Sequence, residues 1–288
     1  MSTPLRTSME NALILRGLAD RTRESYLQAI AKLARHYRCR PDLLTPEQVA
    51  SWLLYLVTER KLSYSSVNQA ASACRFFYNT VLGRERADFP VPMAKTPQRQ
   101  PEILGRAEVA RLLSLAGDAK TQAFLKMVYA TGLRVSEACA LRVEDIDSQP
   151  DRMCIRVRQG KGGQDRYTIL APSLLSVLRT YWGQYHPRTY LFPNPGGSSP
   201  MDIKVAQRRY QRARAAAHIT KDGGIHTLRH CFATHLLESG VDLVTIQKLM
   251  GHKDLSTTGR YLHLASTQWH RTAPEQSPFD LLAALPKQ

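Results

Sequence analysis

Four prolines fall within thirteen residues, at Pro90, Pro92, Pro97 and Pro101 of the run Phe89–Pro101. Each proline fixes φ and removes a backbone donor, so no helix or central strand can pass through such a run. The chain must break there. The run reads as an extended, semi-rigid, basic linker; the alternative is a long surface loop inside one domain. With 288 residues the chain can fill two domains of ordinary size. They are expected at 1–88 and 102–288, with the linker at 89–101.

The part before the break reads as helices. In Arg21–Tyr37 the apolar residues Tyr26, Ile30, Leu33 and Tyr37 recur at helical spacing. Thr45-Pro46-Glu47-Gln48 offers an N-cap, a proline at the first helical position and a capping-box glutamine. Val49, Trp52, Leu53 and Leu56 then form one stripe. A further helix is expected from Ser63 to about Leu82, burying Val67, Ala71, Cys74 and Phe77.

Beyond the break, helices are expected near Ala107–Leu115, Thr121–Ala130, Leu133–Leu141, Pro172–Trp182, Ile203–His218, Thr227–Ser239 and Leu243–Met250. Gly132, Gly240 and Gly251 stand where C-cap glycines belong. Met153–Arg158 alternates as a strand does, Gly160-Lys161-Gly162-Gly163 turns, and Arg166–Leu170 returns, so a β-hairpin carries Lys161 near its tip. The fold class is mainly α with a small β-sheet or hairpin in the second domain.

Lysine and arginine number 40 against 24 aspartates and glutamates, a net charge of +16, which suggests a polyanionic partner. Aromatic residues make up only 8%, which speaks against single-strand binding by stacked bases. The five cysteines are scattered with no C-x-x-C, as expected of buried thiols in a reducing compartment. No signal peptide or membrane-length apolar run is seen, so a soluble cytoplasmic protein is the expectation.

Two arginines stand out by their settings. Arg229 follows His226 by three residues at a helix start, so both share a face where unpaired N–H groups favour an anion. Arg134 opens another helix, with Glu137 one turn on as the orienter of an arginine. Two guanidiniums from separate helices could clamp the non-bridging oxygens of one phosphate. His226 and His230 have the i, i+4 spacing of a metal pair, but Arg229 lies between them and no HExxH or acidic cluster completes a site. No metal or cofactor is expected. His230 and His235 read as helix-packing residues. Tyr261 follows His252 by nine positions, on a short helix that Ser256-Thr257-Thr258 could cap.

Thr131-Gly132-Leu133-Arg134-Val135-Ser136-Glu137, Gly160-Lys161-Gly162-Gly163-x-x-Arg166, His226-x-Leu228-Arg229-His230, Leu249-Met250-Gly251-His252 and Thr257-Thr258-x-x-Tyr261-x-His263 together resemble, in order, the motifs of the tyrosine recombinases, the phage-integrase family that includes the Xer enzymes. Arg134, Lys161, His226, Arg229, His252 and Tyr261 match its catalytic positions, and Glu137, Arg166 and His263 its supporting ones. Gly259-Arg260 departs from the pattern, where larger or apolar residues are expected; the departure is expected to affect local helix stability and not the chemistry.

The resemblance implies a two-domain clamp around double-stranded DNA and a cut-and-rejoin reaction through a 3′-phosphotyrosine. It implies Tyr261 as nucleophile, Arg134, Arg229 and His252 on the phosphate oxygens, Lys161 as general acid and His226 as acid–base partner or hydrogen-bond donor. It also implies a dimer on one site and a tetramer in synapsis, with a second recombinase or an accessory DNA-bending protein as further partners. The alternatives are a type IB topoisomerase with the same chemistry and a non-catalytic DNA-binding regulator on the same fold. In the tail, Ser277-Pro278 could open a short helix with Phe279, Leu282 and Leu285 on one face, docking on its own domain or, by the resemblance, on a neighbouring protomer.

Overall fold

The computed structural model describes residues 3–95, 101–158, 165–262 and 264. Lys161, His263 and the tail helix expected after Ser277 lie outside the described residues. The chain forms two compact units, Met1–Arg99 and Gln100–Gln288.

The first unit is helical: α1 (Thr3–Leu15), α2 (Asp20–Tyr37), α3 (Pro46–Thr58) and α4 (Tyr64–Arg75), the last running on into a π-helical stretch, Phe76–Val81. The start of α3 forms as the sequence predicts. The Gln48 N–H donates to Thr45 Oγ1 at 3.3 Å, and the Thr45 N–H donates to Gln48 Oε1 at 2.9 Å. Val67, Ala71, Cys74 and Phe77 are all buried, joined by Ile30, Leu33, Val49 and Trp52. Helix α1 goes beyond the sequence reading: Met9 and Leu13, one turn apart, are fully buried.

The proline-rich run does not begin as free linker. Phe89 and Val91 are buried in the first unit's core. The Phe89 ring stacks on Tyr78 at 3.9 Å between centroids. Arg75 donates to the Val91 carbonyl, and the Asn68 amide bonds both the N–H and the carbonyl of Ala94. Proline forbids regular structure, but it does not stop side chains on an extended chain from alternating into a core.

The second unit contains α5 (Arg106–Ser114), α6 (Ala119–Thr131), α7 (Val135–Ala140), β1 (Ile146–Asp147), β2 (Cys154–Val157), β3 (Arg166–Ile169), α8 (Pro172–Tyr185), α9 (Ile203–Ala216), α10 (His226–Glu238), α11 (Leu243–Met250) and α12 (Leu255–Gly259). The strands form one antiparallel sheet in the order β1-β2-β3, with Ile155 opposite Thr168. The two strands expected for the hairpin, β2 and β3, pair as predicted, and the turn between them lies outside the described residues; β1 adds a two-residue edge too short to leave a periodic signal.

Helix α10 is the pivot. It packs against α6 and α11, and nine of its residues from Thr227 to Leu237 are buried. A helix buried nearly all round shows no amphipathic stripe. Among those nine is Arg229, which is 1% exposed. A charge so deep must be held by polar groups or it would not stay ionised.

Candidate active site

Those polar groups are helix ends. Helix α6 closes on Gly132 and α11 on Gly251, both left-handed, at φ +63° and +62°. Arg229 Nη1 donates to the Gly132 carbonyl, and Nη2 donates to the Met250 carbonyl at 2.7 Å. These carbonyls belong to the last turns of their helices, where intrahelical donors run out and the macrodipole is negative. Two helix C-termini thus hold the buried cation, and among the described residues no carboxylate bonds it directly. Both glycines are also needed for space: a Cβ at 132 would run into the Phe232 ring, and one at 251 into the Arg166 side chain. Burial, followed by the positive charge of Arg134, lowers the Arg229 pKa to about 10, so it remains a cation at neutral pH.

Arg134 stands at the N-cap of α7. Its N–H donates to Glu137 Oε2 and its Nη1 to Glu137 Oε1, each at 2.8 Å. Arg166, the first residue of β3, lays both Nη groups on the same carboxylate at 2.9 and 2.7 Å. Burial opposes ionisation of Glu137, but the hydrogen bonds and charge of Arg166, then the hydrogen bonds of Arg134, prevail and hold it at about 2. An ionised carboxylate shared by two guanidiniums holds both in place and has no basicity to spare. Three guanidiniums against one carboxylate leave the cluster positive and suited to an anion.

His252 follows α11. Its Nε2 lies 3.0 Å from Arg229 Nη2 and its Nδ1 2.8 Å from Thr258 Oγ1. A guanidinium only donates, so Nε2 accepts and Nδ1 carries the proton to Thr258. Burial, then the charges of Arg229 and Arg134, push the His252 pKa down to about 3, consistent with this neutral tautomer. Thr258 thus serves His252. The sequence reading gave Ser256-Thr257-Thr258 the cap of α12; the residue at that N-cap is Asp254, without a side-chain capping bond.

Tyr261 lies one turn past Thr258, its N–H bonded to the Thr258 carbonyl at 2.9 Å. It sits just beyond α12, not on it, because the helix ends at Gly259. Tyr261 is 4% exposed and packs with Phe232, Ala233, Leu237, Ile246 and Met250. It lies parallel to the His252 ring, 6.4 Å away. Burial raises the Tyr261 pKa, while Arg229, Arg260 and Arg134 pull against that rise. The charge of Arg260 also lowers the His252 and His230 pKa.

The Tyr261 hydroxyl lies 3.0 Å from His230 Nδ1. Reading His230 as a packing residue therefore needs correction. His226 and His230 stack edge to face at 4.7 Å, four residues apart on α10, so both reach the site while Arg229 between them turns inward. That same spacing was the available sequence signal. His235 does pack within the fold, its Nδ1 2.8 Å from the Tyr129 hydroxyl. The pKa of His226 is lowered by the surrounding protein and then by the charges of Arg229 and Arg134. Among the described residues, no three His, Cys, Asp or Glu side chains converge as a metal shell. None of the helices there is long and apolar enough to cross a membrane.

The phage integrase family matches residues 102–268, and the phage integrase N-terminal SAM-like domain matches residues 5–88. A Sinorhizobium fredii (strain NBRC 101917 / NGR234) protein, y4qK, which carries an integrase/recombinase name, is 41% identical over 281 residues, 97% of this chain and 90% of its own. The tyrosine recombinase XerC of Xanthomonas axonopodis pv. citri (strain 306) is 33% identical over 215 residues, 71% of this chain and 69% of its own. A crystal structure of a lambda integrase tetramer bound to a Holliday junction shares the fold at TM-score 0.75 and 19% identity, over 90% of this chain and 76% of that one. With its catalytic-domain and N-terminal matches in one chain, the protein belongs to the phage integrase family, the tyrosine recombinases.

Proposed function

We propose that this recombinase cuts and rejoins double-stranded DNA at specific sites with Tyr261 as its nucleophile. The observation that supports this most is the surround of the Tyr261 hydroxyl: a buried phenol bonded to a neutral histidine, in the field of Arg229 and Arg134. Tyr261 Oη attacks the scissile phosphorus. An O–P bond forms as the P–O5′ bond breaks, leaving a 3′-phosphotyrosyl ester and a 5′-hydroxyl. Arg134 and Arg229 stabilise the charge that builds on the non-bridging oxygens. To join them, His252 must be released by Arg229 and carry a proton on Nε2, because an unprotonated Nε2 only accepts. The ester keeps the energy of the cut bond, so resealing needs no nucleotide cofactor. His226, at the start of α10, is a further donor toward the phosphate.

The likeness to the lambda integrase tetramer on a Holliday junction supports duplex DNA as partner, with two copies on a site and four in synapsis. The place of action we assign is the cytoplasm, with the DNA. Two marked duplex sites incubated with the protein should yield joints between partners, and a tyrosine-linked intermediate should accumulate at equal rate with EDTA present. Relaxed but unexchanged DNA would indicate a topoisomerase, and a strict need for magnesium would overturn the metal-free reading.

Lys161 is assigned as the acid that protonates the leaving O5′, by the match of its glycine-flanked motif. Lys161→Ala is expected to slow cleavage of normal DNA at least about 100-fold, the scale of general-acid catalysis. A bridging sulfur at that position leaves without a proton and should restore most of the rate. Equal defects on both substrates would remove Lys161 from the role.

A further inference from the structure

We propose that His230 is the general base that takes the proton of Tyr261. The idea rests on Tyr261 being the nucleophile. Among the described residues, His230 Nδ1 makes the hydrogen bond to Tyr261 Oη, at 3.0 Å. The other imidazoles are placed differently. Both nitrogens of His252 are engaged, one by Arg229 and one by Thr258, and its ring lies face-on to the tyrosine. His226 meets the ring of His230. Glu137 is ionised and shared by two arginines.

The polarity of the contact follows from its two partners. A phenol hydroxyl is a strong donor with lone pairs drawn into its ring, and an unprotonated imidazole nitrogen is a strong acceptor. The bond therefore runs from Oη–H to Nδ1, with the His230 proton on Nε2. Burial, then His226, Arg229 and Arg260, push the His230 pKa down to about 4, so the ring is unprotonated and ready to accept at neutral pH. A phosphodiester entering among the guanidiniums offsets the arginine charges that depress it, and its proton affinity rises when it is needed. In the step itself the Oη–H bond breaks, the proton passes to Nδ1, and the Oη lone pair forms the O–P bond as P–O5′ breaks. On rejoining, His230 returns the proton to the departing tyrosine.

The test uses single-turnover adduct formation by the full chain on a nicked suicide duplex. In His230→Asn the amide can accept the Oη–H bond near the Nδ1 position but cannot take the proton. Cleavage should slow at least about 100-fold, while DNA binding stays near wild type. Installing a ring-difluorinated tyrosine at 261, a more acidic phenol, should shrink that defect at least tenfold. The comparison is made within one His230 variant, so loss of folded protein cancels; His230→Gln is the fallback if the asparagine variant does not fold. An equal defect with both phenols makes His230 a spacer and overturns the proposal. So does wild-type cleavage by His230→Asn, or faster cleavage, which would mean that His230 restrains the tyrosine. An adduct in Tyr261→Phe would instead overturn the nucleophile reading; absence of that adduct beside an unaffected His230→Asn would sink the base alone.

Discussion

Tyr261→Phe is expected to reduce covalent adduct on a nicked duplex to background while leaving the fold almost untouched. The ring contributes to the cluster of Phe232, Ala233, Leu237, Ile246 and Met250, and phenylalanine keeps every one of those contacts. Only the hydroxyl is lost, and with it one neutral hydrogen bond to a half-buried histidine. Such a bond contributes about 0.5–1.5 kcal/mol, so the melting temperature should move by a few degrees at most. The chemistry has no substitute, because phenylalanine carries no nucleophile. The pairing of a near-silent melting curve with absent adduct separates a chemical role from a structural one. The chain has twelve tyrosines, and several, such as Tyr78 and Tyr210, are buried. An adduct that persists in Tyr261→Phe and maps to another of them would remove the assignment.

The fold was readable where local chemistry decides it. Thr45 and Gln48 announce the start of α3 because a capping box is satisfied within four residues. Gly132 and Gly251 announce the ends of α6 and α11 because their left-handed backbone suits glycine. The motifs carried Arg134, Glu137, Arg166, Arg229, His252 and Tyr261, all of which belong to one contact network or one shared field. Contacts between distant segments were less legible. Phe89 and Val91 join a core assembled from helices earlier in the chain, and no local pattern around the prolines shows that. Helix α10 is buried nearly all round, so its periodicity could not say which histidine meets the tyrosine. Thr258 looked like a cap because a hydroxyl near a helix start usually is one; its partner, His252, is fixed only when α11 and α12 pack. The role of Gly132 beyond its turn depends on Arg229, 97 residues away, taking its carbonyl.

Arg229→Lys is expected to damage stability and catalysis together, unlike Arg134→Lys. The Arg229 guanidinium spans three acceptors at once: the Gly132 carbonyl, the Met250 carbonyl and His252 Nε2. An ammonium is a point charge and cannot reach all three from one stem. Orphaning two of these groups in so buried a place costs about 2–6 kcal/mol, at roughly 1–3 kcal/mol for each unsatisfied group. The same burial that lowers the arginine to about 10 would push a lysine lower still, so part of the cation is lost as well. His252 would lose the partner that fixes its tautomer. Cleavage should fall by about 100-fold to 1,000-fold, the scale for removing one preorganised donor to a transition-state oxygen. Arg134 is a useful control because its side chain is 24% exposed and paired to Glu137, so its lysine variant should lose rate with little loss of melting temperature. Thermal unfolding and single-turnover cleavage on the same preparations give both readouts. An Arg229→Lys protein that melts with wild type would show that the two helix ends do not depend on this guanidinium, and the account of the buried cation as their clasp would fail.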